Sequence, residues 1–151
     1  MRKGRSMAKA DMPHALFPQP ESVGPREWGT ETLLLLAPNK YTLKLITMKA
    51  GAEGGLQYHR LKDEGGVMLK GTMDVTYDDG TGRLCTRRVS RGDVFHFPAL
   101  AVHKAKAVTN CSYIEASTPH FNDRVHVEIQ YGIEKEAGGL PSTRLEDVEC
   151  R

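Results

Sequence analysis

Between residues 31 and 131 apolar residues come in short bursts, each closed by Gly, Asn, Asp or Pro. "TLLLLA", "YTLKLITM", "GVMLKG", "MDVTYDDG", "RLCTRRVS", "DVFHF", "KAKAVT", "SYIEAS" and "VHVEIQY" follow one another at intervals of roughly ten residues, the spacing of short strands in a sandwich or barrel. Period-two alternation is clearest in "YTLKLITM", where Thr42, Lys44, Ile46 and Met48 share one face while Leu43, Leu45 and Thr47 share the other. Asp79-Gly80 is the strongest hairpin-turn signal. No window carries a convincing helical stripe beyond a weak one among the charged C-terminal residues, so the pattern predicts an all-β domain.

At 151 residues the chain has the size of one domain, large enough to bury roughly 70% of its unfolded surface without disulfides. Twenty-one Lys and Arg against 19 Asp and Glu leave a net charge of +2, which argues for neither nucleic acid nor an anionic membrane as partner. Cys85, Cys111 and Cys150 are odd in number and widely spaced, unlike a disulfide framework or a zinc knuckle, and a reducing cytoplasm suits them. The start lacks an apolar stretch of signal-peptide length, and Leu33 to Leu36 is too short to span a bilayer. The pattern divides the chain into an N-terminal arm over 1–25, expected to be loose or to dock, a domain over 26–132, and a polar extension over 133–151, expected to be loose or partner-dependent.

Candidate chemistry concentrates in "GGLQYHRLKDEGGVMLKG", residues 54–71. Gln57 and His59 are two apart and share a face of one strand, and Glu64 can return to that face after a bend. In "GDVFHFPALAVH" a strand over Val94 to Phe97 ends at Pro98, and a short loop leads to His103. A metal in a β-barrel needs three or four N and O donors converging from different strands, and these residues could supply them. Alone, His59 and Glu64 read better as exposed groups on a polar turn.

The spacing of the two segments decides between these readings through a resemblance. Gln57, His59, Glu64 and Gly71 are similar to the first cupin motif, and Gly92, Pro98 and His103 to the second. Gln57-Tyr58-His59 stands where cupins commonly have His-x-His, a variant that resembles the cupin domains of mannose-6-phosphate isomerase-like and mannose-1-phosphate guanylyltransferase-like proteins. Leu100 stands where the second motif usually carries Gly. "WGTE" at 28–31, "KAGAEGGLQYH" at 49–59 and "IEASTPHFNDRVHVEIQYG" at 114–132 are similar to single-domain cupins of sugar-phosphate and surface-polysaccharide pathways, although "VHVEIQYGI" lacks the acidic pair and basic residue associated with that segment. The resemblance covers about residues 26 to 132. It implies a double-stranded β-helix, the cupin jelly roll, with one divalent transition metal (Zn, Mn, Fe or Ni) in the barrel mouth on His59, Glu64 and His103, with Gln57 either a fourth ligand or a hydrogen-bond partner of His59.

Other residues are weighed against that frame. Lys44 either looks into the barrel, paired or bound to an anion, or lies on the outer face. Glu115, between Ile114 and Ala116, could meet Lys44 or act as a base, with Lys44 the alternative base. His96 is expected at the surface; His14, His120, His126 and Cys111 are expected to be structural, and Met68 and Met73 core fillers. Arg60, Lys62 and Arg124 read as solvated loop charges, though a sugar phosphate would need cations at such a rim. Three functions remain open: an aldose-ketose isomerase or epimerase acting on a sugar or sugar phosphate, a binding or regulatory module for a small polar metabolite, and an Fe(II)-dependent oxygenase. The analogy with small cupins implies a homodimer paired through strand edges or a swapped arm.

Overall fold

The computed structural model describes Lys9, residues 12–134 and residues 140–151. One antiparallel sheet has six strands in the order β1 (Glu21–Arg26), β2 (Gly29–Ala37), β3 (Tyr41–Met48), β10 (Cys111–Ser117), β5 (Glu64–Lys70) and β8 (Val94–Phe97). The second has five, in the order β12 (Val125–His126), β4 (Gln57–Tyr58), β9 (His103–Ala107), β6 (Thr72–Asp78) and β7 (Leu84–Ser90). A short pair, β11 (His120–Phe121) with β13 (Glu149–Cys150), lies beside them. This is the all-β jelly roll that the resemblance implies.

Alternation sets the buried face most clearly in β3. In β3, Thr42, Lys44, Ile46 and Met48 are buried, the face predicted from period two. Cross-strand partners point to the same side of a sheet, so Lys44, Glu115 and Gly66 form one row, and Thr42, Ser117 and Glu64 the next. Facing them, Tyr77 pairs with His103, Val75 with Ala105 and Met73 with Ala107. Ile46, Met48, Met68 and Cys111 of one sheet pack against Met73, Val75, Val89 and Ala107 of the other. The interior is therefore graded along its axis, with an apolar floor at one end and polar and charged side chains at the other.

Two regions differ from expectation. "VHVEIQY" yields only the two residues of β12 before a 3-10 turn over Glu128–Tyr131, because Gly132 at φ 68 closes a turn that an extended strand would not make. Residues 140–151, expected to be loose, dock: Thr143 N donates to the Arg124 carbonyl at 2.9 Å, Arg151 N to Pro119 at 3.0 Å, and β13 pairs with β11. The arm also joins the barrel from Glu21 onward as β1. The hairpin at Asp79-Gly80 forms, with a loop from Asp79 to Arg83 closed by an Asp79 N to Arg83 O bond of 3.0 Å.

Gly71 fixes the turn between β5 and β6. Its φ is 76, and a Cβ there would lie 2.1 Å from the Asn110 carbonyl oxygen and 2.8 Å from Cys111 Cα, both backbone atoms. Gly71→Ala combines strain with a clash that no side-chain rotation relieves, so it is expected to cost about 3 kcal/mol and lower Tm by about 10 °C. Thermal unfolding followed by circular dichroism checks it; an unchanged Tm would show that the turn relaxes freely.

Candidate metal centre

Three of the predicted donors converge. His59, Glu64 and His103 are buried, and one ligand atom from each lies within 4.8 Å of the others. His103 Nε2 stands 2.9 Å and His59 Nε2 3.2 Å from Glu64 Oε1. Each imidazole is aimed by its other nitrogen: His103 Nδ1 hydrogen-bonds the Ala101 carbonyl at 2.9 Å and His59 Nδ1 the Asp123 carbonyl. That anchoring puts the proton on Nδ1 and leaves the Nε2 lone pair facing the shared centre, the arrangement in which histidine holds a metal. Phe97 stacks on His103, with ring centroids 4.0 Å apart and planes tilted by 9°, and restricts the ring further.

Gln57 is the backbone partner of His103 on one side and His126 on the other, so all three side chains share the inner face at the mouth. It is half-buried beside the three donors. His126, with Nδ1 3.4 Å from Glu128 Oε1, continues that polar wall.

Lys62 departs from its expectation as a solvated charge. Its ammonium is buried between Glu64 Oε2 at 2.5 Å and Glu115 Oε1 at 3.0 Å. Burial opposes its charge, but the Glu115 and Glu64 carboxylates more than offset this and hold its pKa well above the usual lysine range. Glu64 shows the converse: burial favours its neutral form, yet Lys62, His103 and His59 hold its pKa well below the carboxylate range, so it is an anionic donor. For Glu115, burial dominates and the nearby Glu64 charge adds to it, pushing its pKa up despite Lys62.

Lys44 looks into the barrel, 5% exposed, and its ion pair goes to Glu31 at 2.7 Å rather than to its cross-strand neighbour Glu115. Its ammonium also lies 4.9 Å from the centroid of the Phe121 ring. Glu31 was missed because its alternation gives no hint that it reaches inward to Lys44. His96 is exposed and pairs with Asp63 at 2.8 Å, whereas Met68 and Met73 are core residues, each 1% exposed.

Comparison with known proteins agrees with the fold. A cupin-domain family model matches residues 44–117. That segment, just under half of the chain, is similar to a cupin domain. No curated protein sequence matches the chain significantly. Among solved structures, the capsular polysaccharide assembling protein CapF from Staphylococcus aureus is 16% identical with a TM-score of 0.57, over 66% of this chain and 30% of CapF. KdgF from Halomonas sp. is 20% identical with a TM-score of 0.56, over 64% of this chain and 84% of KdgF. Oxalate decarboxylase from Bacillus subtilis is 17% identical with a TM-score of 0.63, over 89% of this chain and 45% of the enzyme. The chain thus spans less than a third of CapF, and at these identities the likeness is one of fold. Among the described residues, no helix is long and apolar enough to cross a membrane.

Asp123 ties the site together and was not predicted. Its carboxylate accepts from the backbone N–H groups of Arg60 at 3.0 Å, Leu61 at 2.7 Å and Lys62 at 2.8 Å, holding the loop between His59 and Glu64. Burial opposes its charge, but those three donors outweigh it and lower its pKa. A carboxyl whose folded pKa is depressed stabilises above its unfolded value of about 4 and loses that contribution as pH falls. Asp123→Ala is expected to cost about 3 kcal/mol at pH 7 and less near pH 3. Urea midpoints at the two pH values check this; equal losses at both would contradict the charged cap.

Proposed function

We propose that this cupin is a metal-dependent enzyme acting on a sugar or sugar phosphate, transferring a proton beside a carbonyl as an aldose-ketose isomerase or epimerase does. The observation that carries the proposal is a buried carboxylate, Glu115, joined through Lys62 to the cluster of His59, Glu64 and His103. The donor set fits a divalent transition metal: two neutral imidazole nitrogens and one anionic carboxylate, with Gln57 alongside. A metal held there supplies Lewis acidity to a bound carbonyl or hydroxyl oxygen.

The chain supplies the rest. Burial gives Glu115 a raised pKa suited to a group that must both take and return a proton. Lys62 holds that carboxylate in place and balances charge beside Glu64. Lys44 is the weaker candidate base, since Glu31 and the Phe121 ring already engage its ammonium. Phe97 and Tyr77 flank His103 and present apolar surface to a ligand. The fold likeness to a capsular polysaccharide assembling protein favours a sugar.

Two histidines and one carboxylate also suit Fe(II) oxygen chemistry, which motivates a second reading as an oxygenase. Oxygen uptake with an added substrate would favour that reading over the isomerase.

The test is to load the protein with each of Zn, Mn, Fe and Ni and incubate it with aldose and ketose sugars and their phosphates in deuterium oxide. Interconversion with deuterium entering the carbon beside the carbonyl is expected, reduced about 100-fold or more in Glu115→Gln at unchanged metal content. Metal-replete wild-type protein that neither converts nor exchanges any of them overturns the enzyme reading, and sugar binding without turnover would make the domain a binding module.

A further inference from the structure

A second polar cleft lies outside the candidate metal centre. Residues 140–144 fold back along 122–126, and between them and β1 is a cavity of about 600 Å3. Three guanidinium groups line it: Arg26 from β1, Arg124 just before β12, and Arg144 ahead of the last 3-10 turn. Asn122, Ser142 and Thr143 add neutral polar groups, and Asp147 adds one carboxylate, held by Arg144.

The charges in this cleft are unevenly matched. Arg26 has Glu31 at 3.1 Å, but that carboxylate is shared with Lys44. Arg144 has Glu146 at 3.2 Å and Asp147 at 3.0 Å. Arg124 meets only neutral oxygens among the described residues: Thr143 Oγ1 at 3.1 Å, the Pro141 carbonyl at 3.4 Å and Asn122 Oδ1 at 3.3 Å. Burial and then the nearby Arg26 charge lower its pKa against an opposing pull from Glu31, so two like charges are held close with no carboxylate in direct contact with the second among the described residues. Such an arrangement is unfavourable alone and becomes favourable when a multiply charged anion sits between the forks.

We propose that the cleft bounded by Arg26, Arg124 and Arg144 binds a phosphate monoester. A tetrahedral dianion can take bidentate hydrogen bonds from more than one guanidinium, whereas a monocarboxylate satisfies one fork. The remainder of such a ligand, a sugar, rests on the function proposed above; the phosphate contact does not. Asn122 and Arg124 flank Asp123, whose carbonyl orients His59 and whose carboxylate holds the Arg60–Lys62 backbone, so the anion site and the metal site share one segment of chain. Arg60 Nη1 donates to the Thr143 carbonyl at 2.5 Å and fastens the other wall of the cleft to that loop.

The test is calorimetric titration of the 151-residue chain with inorganic phosphate, with succinate in parallel, for wild type, Arg124→Gln, Arg144→Gln and His103→Ala. Saturable phosphate binding is expected, weakened about tenfold in Arg124→Gln and about threefold in Arg144→Gln, and unchanged in His103→Ala. Arg144 is largely exposed, so its variant tests the cleft even where Arg124→Gln does not fold. Three results each overturn the proposal: no binding to wild type, binding lost in His103→Ala but kept in both arginine variants, or succinate bound as tightly as phosphate. None depends on turnover, so failure of the isomerase reading leaves this result intact.

Discussion

A buried carboxylate constrains the rest of this barrel. Glu64 sits at the inner end of β5 with His59, His103 and Lys62 as its neighbours, and an isolated charge there would be strongly destabilising. The structure answers with charges of alternating sign rather than with apolar packing. Lys62 meets Glu64 and is shared with Glu115; Glu115 lies across from Lys44; Lys44 meets Glu31, and Glu31 meets Arg26. The charged groups run from the metal centre toward the arginine-lined cleft, with Lys62 shared between Glu64 and Glu115 and Glu31 shared between Lys44 and Arg26. Removing a middle member would leave an unpaired buried charge on either side, which is why such networks are rigid when complete.

The axial grading of the barrel gives this network its place. Methionines and aliphatic side chains close one end, where Met48, Met68 and Met73 fill irregular space between sheets. The polar end is left for donors, and Gly66 keeps its wall thin: a Cβ there would lie 2.4 Å from Phe95 Cζ. Phe95 can therefore lie across the sheet and stack near Phe97, which in turn packs on His103. Packing at the floor and orientation of the ligand imidazole are linked through these two rings.

Much of this was legible in the sequence where the signal was local. The β3 alternation named its buried face, and the motif spacings picked out His59, Glu64 and His103, because ligands on adjacent strands must recur at fixed intervals. Lys62 was misread because a lysine in a short charged loop ordinarily solvates; its position between His59 and Glu64 was the clue. Asp123 was missed because its partners lie over 60 residues away, and Glu31 because nothing in "GTETL" records that its side chain reaches across to Lys44 on the neighbouring strand. The tail over 140–151 has a composition that fits disorder, yet it is held by β13 and by hydrogen bonds to Arg60, Arg124 and Pro119, contacts that composition does not encode.

The most direct measurement is the transition-metal content of the untagged protein purified without added metal, by elemental analysis beside His103→Ala. The account predicts close to one metal ion per wild-type chain and loss of it in the variant, since two donors would remain of the three that converge. Wild-type protein that holds no metal and takes none up on dialysis, or a variant that keeps its metal in full, would contradict it.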